Sequence, residues 1–96
     1  MSGYIDPALR DRQRDYLLEA AAAAHAEAKI HEVASQRLVR ELGDGSPDDR
    51  TRDRRVRHLA RSLAAHAAAH LAIELLVEAA VGCGANESAL RDRLRR

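Results

Sequence analysis

The chain has 96 residues, of which 46% are hydrophobic and only 2% aromatic, and its formal net charge is +1. These values describe one small domain and exclude a disulfide framework or a multi-cysteine metal site, because Cys83 is the single cysteine. No run approaches the roughly 20 apolar residues that a membrane span needs. We therefore expect a cytoplasmic protein with no membrane partner.

The first predicted helix begins at Asp6, where an acidic cap precedes Pro7 in the first turn. No glycine or proline follows until Gly43, which ends the stretch. The sequence therefore predicts a helix over about 7–42.

The second predicted helix begins at Ser46, which precedes a proline and has Asp49 three residues later, in the position of a capping-box acid. It covers about 47–81 and ends at a Gly-Cys-Gly turn. Asn86 then caps a short third helix over about 87–95. Because no alternating strand pattern occurs, the sequence predicts an all-α protein.

Two long helices joined by a few residues must fold back as an antiparallel hairpin. Of the hydrophobic residues, 20 are alanine, and only 23 are Leu, Ile, Val, Met or Tyr. So thin a core is marginal for a chain of this length. We therefore expect a homodimer, in which two hairpins form a four-helix bundle.

Ionisable residues fall on the helix faces that are predicted to be dry. At about 100° per residue, one apolar face of the first helix includes Glu27 and His31, and that of the second includes His66, His70 and Glu74. The apolar members are Leu9, Tyr16, Leu17, Ala20, Ala24, Ala34, Leu38 and Leu42 on the first helix, and Val56, Leu59, Leu63, Ala67, Ile73, Val77 and Val81 on the second.

These five residues predict a metal site. Burying such groups is costly unless they are paired or bound to a metal, and their four-residue spacing stacks each set along one face. Imidazole and carboxylate ligands suit a divalent metal such as zinc or non-haem iron. The surrounding alanines leave room for an ion or another small polar ligand.

The expected register requires a second copy for this site. With the turn near Gly45, residues whose numbers sum to roughly 90 lie level, which separates Glu27 from His70 by about 10 Å along the axis. One hairpin would not bring all five residues to one ion. A dimer axis near the middle would set Glu27 and His31 of one chain against His66 and His70 of the other.

Two other interpretations of the same residues stay open. In one, the layer binds nothing and only fixes register and oligomeric state. In the other, it performs metal-free acid-base chemistry, with His70 as the base, Glu74 orienting it and Glu27 as the acid. The first interpretation leads to a non-catalytic helical module that binds a protein partner or regulates one.

Inward-facing Glu and His side chains on four helices resemble the ferritin-like di-iron bundles in architecture. Those bundles use Glu-x-x-His, whereas the pairs here are Glu27-x-x-x-His31 and His70-x-x-x-Glu74. The resemblance implies a helical bundle only, and it assigns no role to any residue.

A nucleic-acid partner is disfavoured by the charge pattern. The chain has 16 basic and 15 acidic residues, and its arginine clusters are interleaved with aspartate. The chain has only two aromatic residues that could stack on a base.

Overall fold

The computed structural model describes residues 6–45 and 47–95. Within those ranges, α1 spans Pro7–Gly43, α2 spans Asp49–Gly82 and α3 spans Glu87–Arg95, and no strand occurs. The predicted all-helical architecture, two long packed helices with a short C-terminal helix, is confirmed. The molecule is an elongated slab, with Cα extents of 65 × 29 × 14 Å.

The starts of the two long helices are fixed by aspartates. Asp6 accepts a hydrogen bond from the Ala8 amide at 3.0 Å, as predicted for an N-cap. At α2, the cap is Asp48, whose carboxylate accepts a hydrogen bond from the Thr51 amide at 2.6 Å. This bond is the main cause of the lowered pKa of Asp48. The predicted cap, Ser46, lies outside the described residues.

The turn from α2 into α3 is a Schellman motif. Gly84 has φ +99°, and the Ala85 amide donates to the Ala80 carbonyl at 3.0 Å. The chain then enters α3, where the Asn86 side chain accepts from the Ala89 amide at 2.9 Å, as predicted. These local bonds fix the direction in which α3 leaves the hairpin.

Small side chains line the contact between the two long helices. Ala21, Ala28 and Ser35 are buried on α1 at seven-residue spacing, and Ser62 and Ala80 are buried on α2. A seven-residue repeat keeps one seam facing the partner helix when the two helices supercoil. The small side chains allow the two backbones to approach closely along most of the hairpin.

The predicted dry faces are partly wrong. Leu9 and Tyr16, placed inside by the sequence, are 44% and 72% exposed, and Leu63 on α2 is 50% exposed. The prediction places residues at about 100° intervals around a straight helix, whereas the contact line between two supercoiled helices repeats about every 3.5 residues. The two differ by about 20° per heptad, so over five heptads the predicted face rotates away from the true contact line. Ile73 and Val77 are buried, as predicted.

The cross-helix register also differs from the prediction. Glu41 lies 3.8 Å from Arg55, and Ala28 belongs to the same buried cluster as Ile73. Level positions therefore have numbers that sum to about 96 rather than 90. Every height along the hairpin shifts accordingly.

The larger buried side chains gather where α3 folds back. Ile73, Val77 and Leu90 form one cluster with Ala28 and Ala80, and Leu17 and Leu18 pack against it. Helix α3 thus covers one side of the hairpin near its open end.

Candidate functional site

The two broad sides of the hairpin differ in what covers them. Leu18 and Val77 belong to the α3 cluster, so they mark the α3 side. Residues two positions away lie about 200° round the helix, so Tyr16 on α1 and Leu75 on α2 lie on the opposite side. Seven-residue repeats extend this opposite side along both helices. We call it the bare side and define it by Tyr16, Ala20, Ala23, Ile30, Ala34, Ala65, Ala68, Ala72, Leu75 and Ala79.

The bare side is apolar and open to solvent. Tyr16 is 72% exposed, Ile30 62% and Leu75 56%. One 18-residue window of α2 has a mean hydropathy of 1.4, and only 22% of this window is buried. By length and composition alone, α2 could cross a membrane. Much of the apolar surface of the single chain is therefore uncovered.

Glu27 and His31 form a pair on α1. Their Oε2 and Nε2 atoms lie 3.3 Å apart, as the four-residue spacing predicts. The Glu27 side chain is 63% exposed and that of His31 is 30% exposed. Glu27 lies nine residues after Leu18, which is about 180° round the helix, so it lies on the bare side. It stands one heptad after Ala20 and one heptad before Ala34.

His66 and His70 form a second pair on α2. Their ring centroids are 4.6 Å apart at an interplanar angle of 69°. His66 is half-buried, whereas His70 is exposed. His70 stands one heptad before Val77, so it lies on the α3 side. The corrected register brings Glu27 and His70 to the same height, but on opposite sides of the slab.

Glu74 is engaged by α3. Its carboxylate accepts two hydrogen bonds from the Arg91 guanidinium, at 3.2 and 3.0 Å. These bonds lower the pKa of Glu74 and, in turn, raise that of Arg91. The carboxylate predicted to orient His70 therefore pairs with an arginine from another helix.

The five predicted site residues thus do not meet at one point within one chain: Glu27 pairs with His31, His66 pairs with His70, and Glu74 pairs mainly with Arg91, although His70 also helps to lower its pKa. The expectation that they lie on dry faces is wrong for Glu27, His70 and Glu74, which are exposed in the single chain. Over residues 6–45 and 47–95, no three His, Cys, Asp or Glu side chains are placed to hold a metal ion.

A cleft that the sequence reasoning missed lies where the bare side approaches the interhelical turn. Its lining comes from one residue of α1 and five of α2, namely His31, Arg54, His58, Arg61, Ser62 and Ala65. Arg54, His58 and Arg61 are spaced by four and then three residues, which places them on one face of α2. The sequence-based interpretation groups the arginines by their order along the chain instead of by helix face.

Comparison with known proteins identifies no relative. The sequence matches no family model, no curated protein and no solved structure.

Proposed function

We propose that this chain is a helical association module whose working form is a homodimeric four-helix bundle, with the bare sides of two hairpins packed together. The observation that carries the proposal is the uncovered apolar surface of the bare side. Within the described chain, only four hydrophobic side chains larger than alanine are buried, namely Leu38, Ile73, Val77 and Leu90. A second hairpin would bury what the single core leaves exposed.

The size of the bare side is adequate for a specific interface. From Tyr16 to Ala34 it extends about 27 Å at 1.5 Å per residue, and two packed helices present a surface about 20 Å wide. Each copy therefore contributes on the order of 500 Å², which brings the pair to the about 1,000 Å² that specific interfaces need. Side-chain relief adds to this flat estimate.

Charges on the outer edges favour a head-to-tail arrangement. Glu19 on α1 is level with Glu78 on α2, and Arg40 is level with Arg57, because each pair of numbers sums to about 96. All four side chains belong to exposed residues. A parallel pairing would set like charges together, whereas a head-to-tail pairing sets the glutamates of each copy against the arginines of the other. The two-fold axis then lies near Ile30, midway between the levels of Glu19 and Arg40 and between Glu27 and His31.

Measurement of molar mass tests the proposal. We expect the parent chain to have twice its 10.6 kDa mass by light scattering at about 100 μM, and the Ile30→Asp variant to be monomeric, because a buried charge is costly. Val39→Asp is the matched control: Val39 is 55% exposed, three heptads after Leu18, and therefore on the α3 side.

Three results would contradict the proposal. One is a monomeric parent, and another is equal loss of dimer in both variants. The third is a monomer that floats with phosphatidylcholine vesicles, which would identify the bare side as a lipid-binding surface.

A second candidate function is binding of a divalent metal, and the 3.3 Å contact between Glu27 and His31 favours it. Since the head-to-tail axis lies near this pair, two copies would supply two carboxylates and two imidazoles. Zinc titration should then show one ion per dimer and no binding to Ile30→Asp. Zinc binding that survives His31→Ala would contradict this assignment.

A further inference from the structure

We propose that the cleft near the interhelical turn binds a compact phosphate-type anion through Arg54, Arg61 and Ser62. The cleft opens between α1 and α2, with His31 on one wall and the α2 residues on the other. All lining residues belong to one chain, so the cleft is complete without a partner. Because the lining includes Ala65 of the bare side, a second copy packed on that side would cover the cleft, and anion binding is also tested on a monomer.

The cleft carries an excess of positive charge. No carboxylate lines it, and Arg61 and His58 make no ion pair within residues 6–45 and 47–95. The neighbouring Arg57 differs, since its guanidinium lies 3.0 Å from Asp53 and it does not line the cleft. Arg54 also helps to lower the pKa of Asp48, so Arg61 is the cleft arginine better suited to bidentate contact with phosphate oxygens.

The buried side chain of Ser62 also indicates a ligand in the cleft. The buried Ser35 on α1 donates its hydroxyl proton to the carbonyl of His31 at 2.7 Å, the usual arrangement for a serine inside a helix. Ser62 is equally buried, at 5% exposure, yet its hydroxyl has no hydrogen-bond partner in the described part of the chain. No sealed side-chain oxygen or nitrogen of the described residues lacks a partner, so the Ser62 hydroxyl is open to the cleft that it lines. It could donate a hydrogen bond to an anion bound there.

A compact anion fits the cleft better than a nucleic-acid backbone does. Asp48, Asp49 and Asp53 flank the arginines along α2 and would repel an extended polyanion. The cleft contains no Phe, Tyr or Trp side chain that could stack on a base. A single phosphate group, free or carried by a small molecule, satisfies the cations without meeting these acids.

The test is calorimetric titration of the full chain with inorganic phosphate in a low-salt amine buffer. We expect saturable binding at one site per chain, weakened about tenfold or more by Arg61→Gln and by Ser62→Ala, since a lost hydrogen bond to a charged group changes affinity by that order. Arg57→Gln, the matched control, should bind within about twofold of the parent because it lies outside the cleft. Circular dichroism verifies that each variant is folded.

Equal weakening in Arg57→Gln and Arg61→Gln would overturn the proposal, because it would indicate diffuse charge attraction. Unchanged binding in Ser62→Ala would also overturn it. A parallel titration with a single-stranded oligonucleotide tests for nucleic-acid binding. If the oligonucleotide binds more tightly than phosphate, with a strong salt dependence, and Arg57→Gln weakens that binding, the surface binds nucleic acid and the small-anion proposal is wrong. The same titration of the bare-side variant Leu75→Asp, whose new charge lies ten residues from Ala65, tests the cleft in a monomer that leaves it uncovered. Failure of the dimer and failure of this site are therefore distinguishable.

Discussion

The two sides of the hairpin are built from the same two helices but are completed differently. On the α3 side, the chain covers itself: Leu90 inserts into the cluster around Val77, and Arg91 binds Glu74. On the bare side, Ile30 and Leu75 remain more than half exposed. The comparison shows that α3 acts as a built-in third helix on one side, while no helix of residues 6–45 and 47–95 covers the other.

The difference in polarity supports this division of roles. Beyond the reach of α3, the α3 side carries His25, Glu32 and His70 among its apolar residues. The bare side has alanine at most of the equivalent positions, and Glu27 interrupts it. Alanine on a flat surface permits close helix packing but provides little burial until a partner arrives.

The largest expected effect comes from removing the α3 contact. Leu90→Ala should lower the free energy of unfolding by about 2–4 kcal/mol, because it leaves a cavity beside Ile73 and Val77. Urea denaturation at one fixed protein concentration measures this change. Val39→Ala, at an exposed site, should change stability by less than about 0.5 kcal/mol. Equal effects would mean that α3 does not complete the core.

Reversal of the edge charges tests how the bare sides meet. The double variant Glu19→Arg/Glu78→Arg should weaken the dimer about tenfold, since each copy loses two exposed pairs of a few tenths of a kcal/mol. Sedimentation equilibrium at low salt measures the change.

Mixing that variant with Arg40→Glu/Arg57→Glu should restore assembly as a heterodimer, because the reversed charges complement each other again. A parallel arrangement would also favour the mixed heterodimer, so the separate variants discriminate between the two arrangements. In a parallel dimer each double variant alone would still set like charges together and would dimerise as the parent does, whereas in a head-to-tail dimer each alone is weakened.

The beginning of α3 offers a smaller test of the built-in cover. Asn86→Ala should cost about 1 kcal/mol, because the Ala89 amide loses its capping acceptor. The exposed neighbour Ser88 serves as control, since Ser88→Ala should change stability by less than about 0.5 kcal/mol. Equal unfolding midpoints for the two variants would show that the cap does not hold α3 in place.

Sequence reasoning succeeded where the determinants are local. Asp6 and Asn86 mark helix starts by bonds to amides two or three residues away, and the contact between Glu27 and His31 follows from four-residue spacing. Glycine and proline limit the helices in the same local way. These features require no knowledge of tertiary packing.

The phase of the helices and the long-range pairs could not be predicted. The seam depends on alanine and serine, such as Ala21 and Ser62, which contribute weakly to any hydrophobic pattern. The drift of a straight-helix wheel then placed Tyr16 inside. The Glu74–Arg91 pair depends on where α3 packs, which no local spacing encodes. The homodimer, the metal and the cytoplasmic location stay predictions.

The smallest expected effect concerns the ion pair that fastens α3. Because Arg91 holds the pKa of Glu74 below its ordinary value of 4.5, folding is favoured by the ionised carboxylate. This contribution is fully present above that value and is lost as the pH falls through the lower pKa of the folded state. Glu74→Gln should therefore have a slightly lower melting temperature than the parent at pH 7, and the two melting temperatures should converge at about pH 3.

The control is Glu32→Gln, because Glu32 is exposed and has no ion pair in the described chain. Its melting temperature should equal that of the parent at both pH values. If Glu74→Gln and the parent instead differ equally at both pH values, the carboxylate charge does not fasten α3, and apolar packing around Leu90 alone distinguishes the covered side from the bare one.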